Sequence, residues 1–325
     1  MSVNVGGIGM KKKLGIIFGS IVVIILIGLI FAGNYFYNEA VKRGVEVELH
    51  SESEAVNAEA TGVDLELFNE AVEWFNTQEK TIVEISSFDN LTLRAQFIKN
   101  DANTGKAVIL AHGYRGNGHD MGKYAKMYYD EGFDVLIPDN RGHGESEGDY
   151  IGYGWHDRLD YLEWIDLLIN EGANSIILHG NSMGAALVMM VSGEELPDEV
   201  KGIIADSGYT TVKEELQHQL KHLYGLPSFP ILDVTSVITN IRAGYTFGEA
   251  SAIDQVKKNK VPIFIIHGDA DDLVPTWMGE KLYEAAGGEK EIWIPENVGH
   301  TKAFDIYTEE FIERVLDFVN RALEK

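Results

Sequence analysis

A serine between two glycines is the residue of this sequence best suited to act as a nucleophile. Ser182 lies at the centre of a G-x-S-x-G motif formed with Gly180 and Gly184, after an apolar run at 175–179 and before a run of small residues. This order predicts a strand, a sharp turn and a helix, and the turn has no room for Cβ atoms at the two glycines. We therefore predict that Ser182 attacks an acyl carbonyl.

A serine hydroxyl is a weak nucleophile near neutral pH, so it needs a basic side chain, and the base needs an orienting carboxylate. The last histidine of the chain, His300, follows the final strand-like run and is the predicted base. Three acids, Asp269, Asp271 and Asp272, follow the apolar run at 262–267, and the residues alone leave open which of them orients the histidine. The chain order serine, aspartate, histidine is typical of mostly parallel sheets that carry this turn.

Five motifs together resemble the α/β-hydrolase superfamily, and above all the membrane-anchored or cell-surface serine hydrolases of bacteria. The resemblance covers about residues 68–322. The motifs are His112-Gly113, D-x-R-G-H-G-x-S at 139–146, the serine turn at 180–184, H-G-x-x-D-x-x-V-P at 267–275, and Gly299-His300.

The resemblance implies which groups take part in the reaction. It places the orienting acid on Asp271, with Ser182 as the nucleophile and His300 as the base. It also implies an oxyanion hole made by the backbone amides of Met183 and Tyr114. The family needs no cofactor, and the expected partner is a small-molecule substrate or an acyl or peptidyl compound.

Other reactive side chains are assigned structural roles. Roles at strand ends are predicted for His112, His179, His267 and Asp206. His218 and His222 have the i, i+4 spacing of a zinc pair, but neither the glutamate of a His-Glu-x-x-His motif nor a third ligand accompanies them. No metal site is therefore expected.

The composition restricts the classes of partner further. The chain has 325 residues, 45% of them apolar, and no cysteine, which allows a large core and excludes disulfides and thiolate chemistry. The formal net charge is −24. Such a surface repels phosphate backbones, so no nucleic-acid partner is expected.

An uncharged apolar run at 14–33 predicts a transmembrane anchor, because a helix of this length is about 30 Å long. Lys11, Lys12 and Lys13 precede the run and acidic residues dominate after it. The positive-inside rule then puts residues 1–13 in the cytoplasm and the bulk of a single-pass protein outside it. A cleaved signal peptide is the alternative. The polar, acidic stretch at 34–63 is expected to form a stalk.

Residues 64–325 show alternating strand-like and helix-like runs, which predict an α/β fold with a mostly parallel sheet and helices on both faces. The short apolar runs are typical of strands buried on both faces. The interval 207–259 has no clear strand and is a candidate helical cap, with ordinary connecting helices as the alternative.

The function that these residues predict is hydrolysis of an ester through an acyl-enzyme, as in carboxylesterases (EC 3.1.1). A peptidase on short peptides or an acyltransferase would use the same three residues. A different class remains as well, an inactive hydrolase fold that serves as a binding module. Because fold does not determine substrate, the residues leave the substrate open.

Overall fold

A single eight-stranded sheet forms the centre of the computed structural model, which describes residues 10–45 and 65–325. The strands are β1 (Thr81–Ser86), β2 (Thr92–Ile98), β3 (Lys106–Ala111), β4 (Phe133–Pro138), β5 (Ser175–Asn181), β6 (Val200–Asp206), β7 (Ile263–Ile266) and β8 (Lys290–Trp293). Their spatial order is β1-β2-β4-β3-β5-β6-β7-β8. β2 runs antiparallel to β1 and β4, and the neighbours from β4 to β8 are parallel. The predicted mostly parallel sheet is confirmed.

The central strands are buried along nearly their whole length, as their continuous apolar runs predict. In β3 every residue after Lys106 is buried, and β5 is buried from Ile176 to Gly180. The edge strand β1 instead has no buried residue, and its exposure alternates along the strand. Parallel central strands of this kind are stable only where helices cover both faces of the sheet.

Helices cover both faces. The helices of the described residues are α1 (Met10–Ala40), α2 (Leu65–Thr77), α3 (Gly122–Asp130), α4 (Asp157–Asn170), α5 (Met183–Val191), α6 (Val212–Tyr224), α7 (Ile231–Ala243), α8 (Ala252–Val256), α9 (Thr276–Ala285), α10 (Ala303–Ile306) and α11 (Thr308–Leu323). One core cluster joins α4, α5, α8 and α9 to the sheet, and the other joins α2, α3, α10 and α11. The two clusters lie on opposite faces.

The interval between β6 and β7 is helical. It contains α6, α7 and α8, of which α6 begins after Thr211, whose hydroxyl accepts from the Glu214 amide. α6 ends at Gly225, which adopts the left-handed conformation that terminates many helices (φ +63°). α8 packs on α5 within the core.

The N-terminal helix α1 extends beyond the predicted anchor and its last turns pack on the domain. Gly33 lies against the side chain of Ile238 on α7, and both Tyr37 and Val41 are buried. Residues 34–45 of the predicted stalk are therefore ordered on the domain, while 46–64 lie outside the described residues. The predicted stalk at 34–63 is polar and acidic as a whole, but residues 36, 37, 40 and 41 form one apolar face near its start.

Candidate active site

The turn after β5 holds Ser182 in a strained backbone conformation. Its φ of 56° and ψ of −117° lie in a region that side-chain-bearing residues rarely adopt. A Cβ atom at Gly180 would collide with the carbonyl oxygen of Gly184, and one at Gly184 would collide with that of Ala111. The two glycines thus allow α5 to start directly against β3 and β5, with the Ser182 side chain above the ends of the strands.

Three side chains predicted from distant parts of the sequence lie in hydrogen-bonding contact. The hydroxyl of Ser182 is 2.8 Å from Nε2 of His300, and Nδ1 of His300 is 2.8 Å from Oδ2 of Asp271. His300 can accept the serine proton at Nε2 only while its Nδ1–H is donated to the carboxylate. These contacts are the ones that a serine nucleophile, a base and an orienting acid would require.

Among the three candidate acids, Asp271 is the one whose side chain contacts His300. Its Oδ1 accepts from the amides of Leu273 (3.1 Å) and Val274 (2.8 Å). Asp269 is exposed and accepts from the Val298 amide at 3.4 Å.

Asp271 and His300 shift each other's pKa. Burial alone would raise the pKa of Asp271, but the charge of His300 and hydrogen bonds from His267 and His300 hold it well below its usual value. Burial alone would lower the pKa of His300, but the charge of Asp271 and the hydrogen bond to it raise this pKa above its ordinary value. Asp271 is therefore ionised at neutral pH, as its predicted role of orienting acid requires.

The two amides predicted as oxyanion donors lie beside Ser182. Met183 is the first residue of α5, so its amide has no carbonyl acceptor within the helix. A Cβ atom on Gly113, the residue before Tyr114, would be only 3.4 Å from Cβ of Ser182. Tyr114 and Met183 line the same cavity as the serine.

That cavity has a volume of about 840 Å³ including its open mouth, and it is mostly apolar. Its walls come from α6, α7, the turns after β3 and β7, and the end of α1. The apolar residues of the helical walls are Leu216, Leu220, Leu223, Leu232, Phe36 and Ala40. The candidate cap and the end of α1 thus both shape the space above the serine.

Two lining residues were not predicted from the sequence. Glu215 and Gln219 lie one turn apart on α6 and face the cavity beside Leu216 and Leu220. The sequence does contain a signal for them, because Glu215 and Gln219 form a polar i, i+4 pair that borders the apolar stripe of an amphipathic helix. It is ambiguous in sequence, since such a pair is most often solvated.

Four of the histidines singled out in the sequence hydrogen-bond to groups other than the Ser182 hydroxyl, namely His112, His179, His218 and His267. His112 donates from Nδ1 to the Gly113 carbonyl at 2.8 Å and accepts at Nε2 from the Asn140 amide at 3.0 Å. Burial lowers the pKa of His179 to about 3, so this ring is neutral. His218 donates to the Asp272 carbonyl at 2.8 Å.

Comparisons with known proteins show which family has this architecture. A family model described as serine aminopeptidase, S33, matches residues 102–240. The protein YqkD of Bacillus subtilis is 30% identical over 254 residues, which cover 78% of this chain and 83% of the relative. Lysophosphatidylserine lipase ABHD12 of Xenopus tropicalis is 28% identical over 186 residues, and the match spans 46% of that protein.

A solved structure shows the same fold. The esterase Pf2001 of Pyrococcus furiosus superposes with a TM-score of 0.63 at 26% identity, covering 77% of this chain and 93% of the esterase. The predicted resemblance and the predicted fold class are both confirmed. The chain belongs to the α/β-hydrolase superfamily, as a hydrolase of the esterase and lipase type.

Proposed function

We propose that this hydrolase cleaves an ester through a covalent acyl-enzyme on Ser182. One observation carries the proposal: a continuous hydrogen-bonded path runs from the hydroxyl of Ser182 through His300 to the carboxylate of Asp271. This path would let each atom take the role that nucleophilic catalysis requires, and the lowered pKa of Asp271 supports its role as the orienting acid.

The proposed reaction has two halves. Ser182 Oγ attacks the acyl carbonyl while His300 Nε2 takes its proton, and the amides of Met183 and Tyr114 stabilise the negative oxygen of the tetrahedral intermediate. His300 then gives the proton to the departing alcohol, which leaves an acyl group on Ser182. A water molecule, deprotonated by His300, releases the acid. Loss of one such amide donor typically lowers turnover roughly 10²–10³-fold.

An ester with an apolar acyl group is the substrate class that the cavity fits best. The walls formed by α6, α7 and α1 are lined mainly by leucine and aromatic side chains. The similarity to an esterase and to a lipase favours an ester over an amide. A peptidase for short peptides is the second candidate, because the matching family model carries that description.

We further propose that α1 crosses the cell membrane once, with the catalytic domain outside the cytoplasm. Lys11–Ala40 is the one helix of the described residues that is long and apolar enough to span a bilayer. Beside its end, α7 exposes Val237 (59%) and Ile241 (78%), and Phe229 (75%) just precedes α7. Because α7 packs against α1 at Gly33, these exposed side chains would lie at the bilayer surface next to the cavity.

Labelling with a fluorophosphonate probe tests the nucleophile. The wild-type protein should be labelled covalently, and Ser182→Ala should abolish both labelling and ester hydrolysis. Ser175→Ala is a matched control, because Ser175 lies at the opposite end of β5. A folded wild-type protein that is neither labelled nor active would support the binding-module alternative.

A panel of p-nitrophenyl esters of graded chain length, run beside peptide amides, tests the substrate class. We expect kcat/KM to rise with acyl length until the chain fills the cavity. Faster cleavage of the amides than of any ester would favour the peptidase.

A further inference from the structure

Two oxygen atoms in the wall of the cavity have no hydrogen-bond partner. Oε2 of Glu215 and Oε1 of Gln219 are both buried and both lack a donor within the described residues. Their residues line the cavity that contains Ser182. A buried acceptor without a partner is costly, so its presence in a substrate cavity points to a donor supplied by the ligand.

The positions of these two atoms are well defined by the neighbouring hydrogen bonds. Nε2 of Gln219 donates to Oε1 of Glu215 at 2.9 Å and to the carbonyl of Leu273 at 2.7 Å. Both amide hydrogens are thereby used, which sets which atom of the Gln219 amide is the free oxygen. Glu215 is only 7% exposed. The side chains of Glu215 and Gln219 are therefore held in place in the wall of the cavity.

The pair lies on the His300 side of the reaction centre. Leu273, which accepts from Gln219, also donates its amide to Asp271, the partner of His300. Since the alcohol of an ester receives its proton from Nε2 of His300, the alcohol portion must depart on this side. The amides of Met183 and Tyr114 instead receive the carbonyl oxygen.

We infer that Glu215 and Gln219 form a subsite for a free hydroxyl group on the alcohol portion of the ester. The inference rests on the proposed esterase function. The hydroxyl donates its proton to one of the two oxygens, and its own oxygen can accept from a protonated Glu215. Burial raises the pKa of Glu215 to about 7, so both forms of this carboxyl exist near neutral pH. A hydroxyl satisfies either form, whereas an alkyl group satisfies neither.

Two esters of the same acid provide the test, 2-hydroxyethyl hexanoate and propyl hexanoate, which differ by a hydroxyl in place of a methyl group. The wild-type protein should prefer the hydroxyethyl ester in kcat/KM by roughly tenfold or more, as one lost hydrogen bond to a buried acceptor predicts. In Glu215→Leu and Gln219→Leu this ratio should fall towards one. The ratio cancels any effect of the substitution on His300, because both esters use the same chemistry.

Glu214→Leu is the matched control. Glu214 is the neighbouring acid on the same turn of α6, accepts from the Thr210 hydroxyl and does not line the cavity. Its variant should keep the wild-type ratio. Equal hydrolysis of the two esters by the wild-type protein, or a ratio that survives in both leucine variants, would overturn the subsite and leave the esterase proposal intact. Absence of hydrolysis of either ester, without fluorophosphonate labelling, would instead contradict the proposed function.

Discussion

Asp271 is held from three sides, and this determines how His300 titrates. Two backbone amides and Nδ1 of His300 donate to its carboxylate, and Nε2 of His267 lies 3.3 Å from Oδ2. The carboxylate therefore stays charged well into the acid range. Its charge stabilises the protonated form of His300, and this raises the pKa of the base.

The pH dependence of the reaction should reflect this coupling. Since protonated His300 cannot accept the serine proton, kcat/KM should fall at low pH, with a midpoint above the ordinary histidine pKa of about 6.5. Asp271→Asn removes the charge that raises this pKa, so the midpoint should move to lower pH. Turnover should also fall by about 10⁴-fold, because the imidazole is no longer held in the productive tautomer.

Asp269→Asn controls for the loss of an acid from the same loop. Asp269 is exposed and does not contact His300. Its pH midpoint should match that of the wild type. An unchanged pH midpoint in Asp271→Asn, or an equal loss of turnover in the two variants, would show that Asp271 does not orient His300.

At the scale of the elements, the close approach of α5 to the sheet holds the serine turn in place. All nine residues of α5 are buried, and Gly184 lies against the backbone of Ala111 and His112 at the end of β3. No rotamer can relieve a clash there, because the opposing atoms are backbone atoms. The strain at Ser182 is thus maintained by packing on both sides of the turn.

Gly184→Ala should therefore lower the stability of the fold as well as the rate of the reaction. The added methyl group forces α5 away from β3, and we expect the free energy of unfolding to fall by about 3 kcal/mol, as for severe overpacking of a core. Thermal unfolding followed by circular dichroism measures the change. Gly248→Ala is the control, since no atom lies within 4 Å of its added Cβ position. Equal stability of the two variants would contradict the close packing.

The sequence predicted elements and residue types better than it predicted contacts between them. The runs that became β3, β5 and β7 are continuous and apolar, so their burial follows from composition. Choosing among Asp269, Asp271 and Asp272 is different, because these acids share one short loop and only its backbone path decides which carboxylate points at His300. Residue pattern alone left that choice open, and the family resemblance supplied Asp271.

At the scale of the whole molecule, one helix, α1, contains both the proposed membrane anchor and part of the cavity wall. Phe36 packs edge to face on Tyr224 of α6 with ring centroids 5.3 Å apart, and the Ala40 carbonyl accepts from the Tyr114 hydroxyl at 2.9 Å. Arg43 donates to the carbonyls of Ser146 and Gly144. The polar, acidic composition of 34–63 as a whole predicted a stalk, and only tertiary packing shows that residues 34–45 belong to the domain.

If α7 contacts the bilayer as proposed, exposed apolar residues near α7 should reach the acyl chains of the lipid, and those elsewhere should not. In vesicles of phosphatidylcholine with brominated acyl chains, a tryptophan introduced by Phe229→Trp or Ile241→Trp should be quenched, because bromine quenches only indoles that reach the acyl region. Ile82→Trp is the control, since Ile82 is also half exposed but lies on β1 at the far edge of the sheet. Equal quenching at the three positions would contradict the proposed orientation.

With α1 as the proposed anchor, its packing against the wall of the cavity would also determine how the enzyme meets a substrate in the membrane. A catalytic domain on a long flexible tether would sample a volume of solvent, whereas here the mouth of the cavity would stay at one height above the lipid. Encounters would then occur by lateral diffusion in two dimensions. The relevant concentration would be molecules of substrate per area of membrane, so diluting the vesicles at constant lipid composition should leave the turnover of a lipid-borne ester unchanged.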